Sequence, residues 1–332
     1  MPETMSEPSV TDLDEQVADP RSAVLLIRRR STPRSPLPTD VPPALEPIEG
    51  IRAVLFDVYG TLFISGSGDV GTALTGAADE VFTRALADAV PNPVGMRARL
   101  SHLPAELGER TRVAYFGAIE RAHMRERARG VDVPEVEIRR IWSEVCTELV
   151  DDGLMTRGVT APQIEMLALT YELRANPVWP MPEVGRTLRR IALGGYHLGI
   201  VSNAQFFTPL LFEALLGSTT RGLGFRGDLC AYSFAEGRAK PSVQLFDRPL
   251  RRLREINGIR PEEVLYVGND MRNDILAAAR AGCRTCLFAG DARSLRMRTE
   301  DPEVSGVEPD AVIRAPAELA TVLSLQGENP HA

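Results

Sequence analysis

The chain has 332 residues, 44% hydrophobic and 25% charged, with a net charge of −7; this is the balance of a soluble globular protein long enough for one large or two modest domains. The acidic total gives no support to nucleic-acid binding, which needs a basic surface to displace counterions. No run approaches the ~18 apolar residues that cross a bilayer, and the cysteines (Cys146, Cys230, Cys283 and Cys286) are too few for a disulfide framework, so the expectation is a reduced, cytoplasmic protein that binds neither nucleic acid nor membrane.

Residues 1–50 open acidic and turn proline-rich, with Pro33, Pro36, Pro38, Pro42, Pro43 and Pro47. They lack the apolar content to fix a backbone and are expected as a disordered, extended segment, with docking of a partner as the other use of such a stretch. The character changes at residue 51. Residues 51–58 are apolar apart from Arg52 and Asp57 and run into a Gly60-Thr61 turn, the pattern of a strand buried on both faces. The glycine-rich stretch 65–71 has the composition of a flap or an ordinary loop. From 72 to 179 the texture is helical, with apolar residues three and four apart over 77–89, 110–129 and 135–150. A helix over 184–193 then leads into alternation. Strands are predicted over 197–202, 229–234, 264–267, 284–288 and 311–313, and helices over 208–216, 244–256, 274–281 and 316–323. Such alternation implies parallel pairing with right-handed crossovers. The predicted architecture is α/β: a doubly wound, Rossmann-like parallel sheet built from 51–71 and 180–325. An all-helical domain, 72–179, is inserted after the first strand, and 326–332 is a tail.

Folds of this kind place chemistry at the carboxyl ends of their strands. The first strand ends on Asp57-Val58-Tyr59-Gly60-Thr61 and the second on Ser202-Asn203. Lys240 follows the third, and the fourth ends on Gly268-Asn269-Asp270, with Asn273-Asp274 beyond. These residue types make an anion-processing site. A carboxylate at the end of a buried strand is placed to act as a nucleophile and split one hard displacement in two. Attack on an anionic phosphoryl group needs its repulsion neutralised, which a lysine and a divalent cation supply. Mg²⁺ takes one or two carboxylates with waters, so Asp57 with Asp270 or Asp274 is the expected ligand set, Asp270 the better of the two. Ser202 and backbone N–H groups near Asn203 are expected to hold substrate oxygens. Cys283 and Cys286 form a C-x-x-C, but it overlaps a predicted buried strand and nothing nearby completes a zinc site. His102, His123 and His197 lack partners at ligand spacing, and Trp142 and Trp179 are expected in packing.

Taken in order, these four signatures resemble the haloacid dehalogenase superfamily over about residues 51–323. The resemblance implies Asp57 as the covalent nucleophile, Ser202 as the hydroxyl of the second motif and Lys240 as the lysine of the third. It implies the Asp270/Asp274 segment as the acidic fourth motif and the helical insertion as a cap. The leading expectation is Mg²⁺-dependent hydrolysis of a small phosphorylated metabolite, with the Tyr59 carbonyl on the metal and Gly60, Thr61, Ser202 and Asn203 around the substrate. Family phosphatases carry a second aspartate two residues after the nucleophile, as acid for the leaving alcohol. Tyr59 stands there instead, which resembles the metal-independent 2-haloacid dehalogenase branch, where a cap arginine such as Arg84 would clamp the substrate carboxylate. Against that branch, its tyrosine six residues after the lysine is Phe246 here, and the fourth motif carries two carboxylates. A non-catalytic phosphate-binding module is the third alternative.

Overall fold

The computed structural model describes residues 17–66, 79–90, 106–156 and 158–325. The chain begins with α1 (Pro20–Arg30), β1 (Ala53–Phe56) and β2 (Phe63–Ser65), and continues through α2 (Asp79–Ala89), α3 (Glu106–Ala128), α4 (Ile138–Asp151) and α5 (Ala161–Ala175). It returns by β3 (Val178–Pro180) to α6 (Val184–Leu193), β4 (His197–Ser202), α7 (Thr208–Leu216), β5 (Phe225–Tyr232) and α8 (Ser233–Glu236). There follow α9 (Asp247–Asn257), β6 (Val264–Gly268), a π-helical turn (Met271–Leu276) running into α10 (Ala277–Arg280), β7 (Arg284–Phe288), β8 (Ala311–Ile313) and α11 (Leu319–Val322).

Six of the strands form one sheet in the order β5-β4-β1-β6-β7-β8, with every neighbouring pair parallel. Alternate residues of β1 feed different clusters: Val54 and Phe56 pack into one, Ala53 and Leu55 into the other. Helices on both faces therefore require the unbroken apolar run seen in the sequence. The chain order reverses around β1, between β4 and β6, and the crevice at such a switch point opens at the carboxyl end of the sheet. Asp57 is the first residue beyond β1.

The helices α2–α5 form the insertion. Its centre is aromatic: Phe82 lies 4.7 Å from Tyr171 and Tyr115 lies 4.9 Å from Trp142, centroid to centroid. Trp142 thus belongs to the insertion's own core. The chain enters and leaves the insertion through β2 and β3, which pair antiparallel as Phe63–Pro180, Ile64–Trp179 and Ser65–Val178. Gly66 N–H donates to the Pro177 carbonyl and Ser65 Oγ to Asn176 Oδ1, extending this two-stranded hinge. Only Ser65 and Gly66 of the expected 65–71 loop, and none of the 326–332 tail, fall among the described residues.

Residues 17–50 are not the disordered segment expected from composition; residues 1–16 lie outside the described set. Asp19 caps α1 by accepting from Ser22 N–H, and Pro20 stands at the first turn, where its missing N–H costs nothing. Ala23, Val24 and Ile27 are buried, and α1 packs on both α7 of the core and α5 of the insertion. The following extended stretch is held by its backbone. Leu37 N–H donates to Asp291 Oδ1, Leu37 carbonyl accepts from Ala292, and Ala44 bridges Val312 of the edge strand β8. Prolines remove donors but leave carbonyls, so a proline-rich strap can still be fixed when the fold supplies the partners.

Candidate active site

Four strand ends converge on a small cavity of about 30 Å³, room for one or two waters, lined by Asp57, Tyr59, Asn203, Lys240, Asn269, Asp270, Asn273, Asp274 and Arg296. Asp57 is buried. Its Oδ1 accepts from Lys240 Nζ at 2.6 Å and from Ser202 Oγ at 2.9 Å, whereas Oδ2 meets only Thr61 Oγ1 at 3.5 Å. One oxygen is clamped and the other is left lightly engaged. Thr61 donates at 3.0 Å to Asn269 Oδ1, tying the first motif to the end of β6.

Lys240 is the centre of the charge. It touches Asp57 on one side and Asp274 Oδ1 at 2.5 Å on the other, and donates to Tyr266 Oη at 3.0 Å. Burial alone would lower the lysine's pKa, but Asp274 and Asp57 more than offset that and hold it above the ordinary value. Burial pushes Asp274 up to about 6 against the pull of Lys240, and the carboxylates of Asp57 and Asp270 add to the rise. Tyr266 passes its own hydroxyl hydrogen to the Val201 carbonyl at 2.8 Å, so the lysine is fixed from three directions. Phe246 stacks edge-on against this tyrosine, with centroids 5.0 Å apart. The phenol that reaches the lysine thus comes from β6.

Two glycines permit this crowding. Gly60 has φ +85°, and a Cβ there would lie 2.6 Å from Ser294 Cβ and 2.7 Å from Asn269 Nδ2. At Gly268 a Cβ would come within 2.3 Å of Asp274 Cγ. Neither site accepts a side chain.

Several expected roles change. Asp274 Oδ2 accepts from the backbone N–H groups of Asn269 and Asp270, each at 2.9 Å, while Oδ1 holds Lys240. This acid positions the lysine, with three of its four lone-pair sites already taken. Asp270 caps the π-helical turn through Arg272 and Asn273 N–H, accepts from Asn273 Nδ2, and takes Arg298 on both oxygens, the shortest contact 2.6 Å. Its oxygens are engaged as well. Among the described residues no three His, Cys, Asp or Glu side chains converge as a metal cluster. In this arrangement Asp274 is taken up mainly with the lysine and Asp270 with Arg298, and Asp57 Oδ2 and the side-chain oxygen of Asn269 are the less engaged oxygens beside Tyr59.

Asn203, expected on the substrate, lines the cavity and also accepts from Lys240 N–H at 2.7 Å, which sets the lysine loop. The neighbouring Ala204 N–H is spent on Ser233 Oγ and Gln205 N–H on Thr208 Oγ1, so these groups are not an open anion cradle. The Tyr59 hydroxyl is bonded at 2.9 Å to Thr208 Oγ1, and burial followed by the nearby Glu172 charge drives its pKa far above the phenol range. It cannot deliver a proton at neutral pH. Arg84 lies on the exposed side of α2, paired with Glu80. Cys283 and Cys286 are buried free thiols, the first pushed up to about 12 by burial, the second further. His197 packs beside Arg226, and His102 lies outside the described residues.

Sequence reasoning missed Tyr266, Arg296 and Arg298. Tyr266 sits two residues before Gly268 on a strand read only as apolar, and the arginines belong to a loop without periodicity. The insertion covers the lysine side of the site: Val133 carbonyl accepts from Ala239 N–H, Gln205 Nε2 donates to Val136 carbonyl, and Ser233 Oγ donates to Glu135.

The sequence pattern of the haloacid dehalogenase-like hydrolases matches residues 51–282. A glyceraldehyde 3-phosphate phosphatase of Methanothermobacter thermautotrophicus is 33% identical over 108 residues, 32% of this chain and 44% of that enzyme. One named for the same activity, of Methanopyrus kandleri, is 28% identical over 58% of this chain and 81% of its own length. A phosphoglycolate phosphatase of Photorhabdus laumondii is 30% identical over 71% and 79%. Among solved structures, the 2-haloacid dehalogenase of Pseudomonas syringae pv. tomato aligns over 82% of this chain and 98% of its own, with 20% identity and a TM-score of 0.49. With the pattern spanning well over half its length, the chain belongs to the haloacid dehalogenase-like hydrolases.

Proposed function

We propose that the protein hydrolyses a small phosphorylated metabolite through an aspartyl-phosphate formed on Asp57. The observation that carries this reading is the asymmetric clamp on Asp57. Lys240 and Ser202 hold Oδ1, and Oδ2 is the oxygen left to attack. Oδ2 forms the new bond to phosphorus while the ester oxygen leaves with the electron pair of the bond that breaks. Water then cleaves the aspartyl-phosphate, releasing phosphate and restoring the carboxylate. Lys240 carries positive charge throughout and offsets the repulsion between the carboxylate and the phosphoryl oxygens. Relatives named for glyceraldehyde 3-phosphate and phosphoglycolate support a two- or three-carbon phosphate as substrate.

The family expectation of Mg²⁺ meets an Asp270 paired with Arg298 and an Asp274 paired with Lys240, and no step above passes through a metal. A buried, bonded phenol at position 59 supplies no acid, so esters with good leaving groups should react fastest. The same phenol favours the second reading, a dehalogenase in which Asp57 displaces halide from carbon and no leaving group needs a proton.

The test is release of phosphate from phosphoglycolate, glyceraldehyde 3-phosphate and p-nitrophenyl phosphate, and of halide from 2-chloropropionate. Each is run with Mg²⁺ and with EDTA, for the wild type and Asp57→Asn. Phosphate release that disappears in Asp57→Asn is the expected result. Release abolished by EDTA and restored by Mg²⁺ would return Asp270 to the ligand set, and halide release without phosphate release would move the protein to the dehalogenase reading.

A further inference from the structure

The loop between β7 and β8 brings to the cavity an arginine that none of the four motifs contains. Arg296 is half-buried and lines the same space as Asp57 and Lys240. Its backbone is locked to the fourth motif: Arg296 N–H donates to Asn269 carbonyl at 3.0 Å, and Met271 N–H donates back to Arg296 carbonyl at 2.9 Å. Ser294, two residues earlier, accepts from Asn269 Nδ2 and reaches the Gly60 carbonyl at 3.4 Å. The other face of the loop is held by the N-terminal strap through Leu37 and Asp291 and through Arg293 and the Ser35 carbonyl. The loop is thus fixed between strap and site.

The charges around it are sorted. Arg293 pairs with Asp291, and Arg298 with Asp270. Arg296 has no carboxylate partner among the described residues. One terminal nitrogen, Nη1, donates to the Arg293 carbonyl at 2.7 Å and the Leu295 carbonyl at 3.1 Å, which braces the guanidinium and leaves Nε and Nη2 for another acceptor. A partly desolvated, unpaired cation beside a nucleophile is costly unless an anion completes it. The planar fork suits two oxygens of one phosphoryl group, where a lysine would offer only a point charge.

We infer that Arg296 binds the phosphoryl oxygens of the substrate, as a second cation beside Lys240. This rests on the phosphoryl reading of the site and deepens it. Asp57 and Lys240 line the same cavity, so an anion that meets Arg296 there is the one within reach of Asp57. Lys240 is already shared between Asp57 and Asp274, so Arg296 is the cation there whose charge no carboxylate claims.

The probe is inorganic phosphate, as a competitive inhibitor of turnover and by calorimetry, on the full chain. Arg296→Gln and Arg296→Met should each weaken phosphate binding by about tenfold or more and raise KM similarly, the loss of a charge-assisted fork. Arg296→Lys should recover part of the loss, and Arg293→Gln, on the same loop, should bind phosphate within about twofold of the wild type. A folded Arg296→Gln or Arg296→Met protein with wild-type phosphate affinity overturns the inference while the wild type's ester hydrolysis stands. A wild type that neither binds phosphate nor hydrolyses any ester removes the phosphoryl reading and this inference together.

Discussion

The strand-end shelf and the helical insertion bury their interiors by opposite means. At the shelf, Asp57, Lys240, Asn269, Asp270 and Asp274 are buried charged or polar groups, each satisfied by a named partner. In the insertion the centre is a cluster of Phe82, Tyr115, Phe116, Trp142 and Tyr171, and its charges lie outside as pairs such as Arg110–Asp152 and Arg121–Glu148. One region spends stability on reactive groups, and the other accumulates it from area and ring contacts. The shelf should therefore lose activity more readily than fold, and the insertion the reverse.

The most severe test of that contrast is Trp142→Ala. Removing a fully buried indole should cost about 3–5 kcal/mol, read as a lower denaturant midpoint with the insertion's amides exchanging first. Unchanged stability would break the comparison. Lys240→Met comes next: turnover should fall by about 10²–10³-fold, the scale for losing one preorganised charge partner, with melting changed less than in Trp142→Ala. Ile27→Ala, at the fully buried face of α1, should cost about 2–4 kcal/mol, measured by chemical denaturation; a neutral result would mean α1 contributes no stability to the regions it joins. Asp274→Asn gives the smallest effect and sharpens the shelf side. The folded pKa of Asp274 is raised by burial to about 6 from an ordinary 3.8, so its contribution to stability is fully present below the lower value. It is lost as pH rises through the higher one. Melting temperature against pH should show this decline in the wild type and a flatter line in the variant.

How much was legible follows the same division. Three strands and two helices, His197–Ser202, Arg284–Phe288, Ala311–Ile313, Val184–Leu193 and Thr208–Leu216, keep their expected bounds, because sheet burial and helical period leave direct marks in sequence. β5 starts earlier than its apolar run, since Arg226, Gly227 and Asp228 lie on a less buried part of an edge strand. β2 and β3 were hidden by brevity and by Pro180, which an outer strand tolerates. α1 carried apolar residues at 23, 24 and 27, a helical spacing diluted by the prolines that follow. At the site, residue types named the chemistry, but which acid meets which cation depended on contacts as distant in sequence as Asp270–Arg298 and Lys240–Tyr266. Composition and period carry no trace of such pairings.

The docking of α1 has a kinematic consequence. Two adjacent strands, β2 and β3, are the only covalent links between insertion and core, and by themselves they form a pivot. Beside the contacts of Val133, Glu135 and Val136 with the core, α1 adds another attachment, on α5 and α7, that must also be released for the pivot to turn. Swinging the insertion away to admit a substrate would first uncover Val24 and Ile27, a toll of roughly 3–6 kcal/mol. An N-terminal stretch that looks dispensable in the sequence therefore adds to the height of the step at the door.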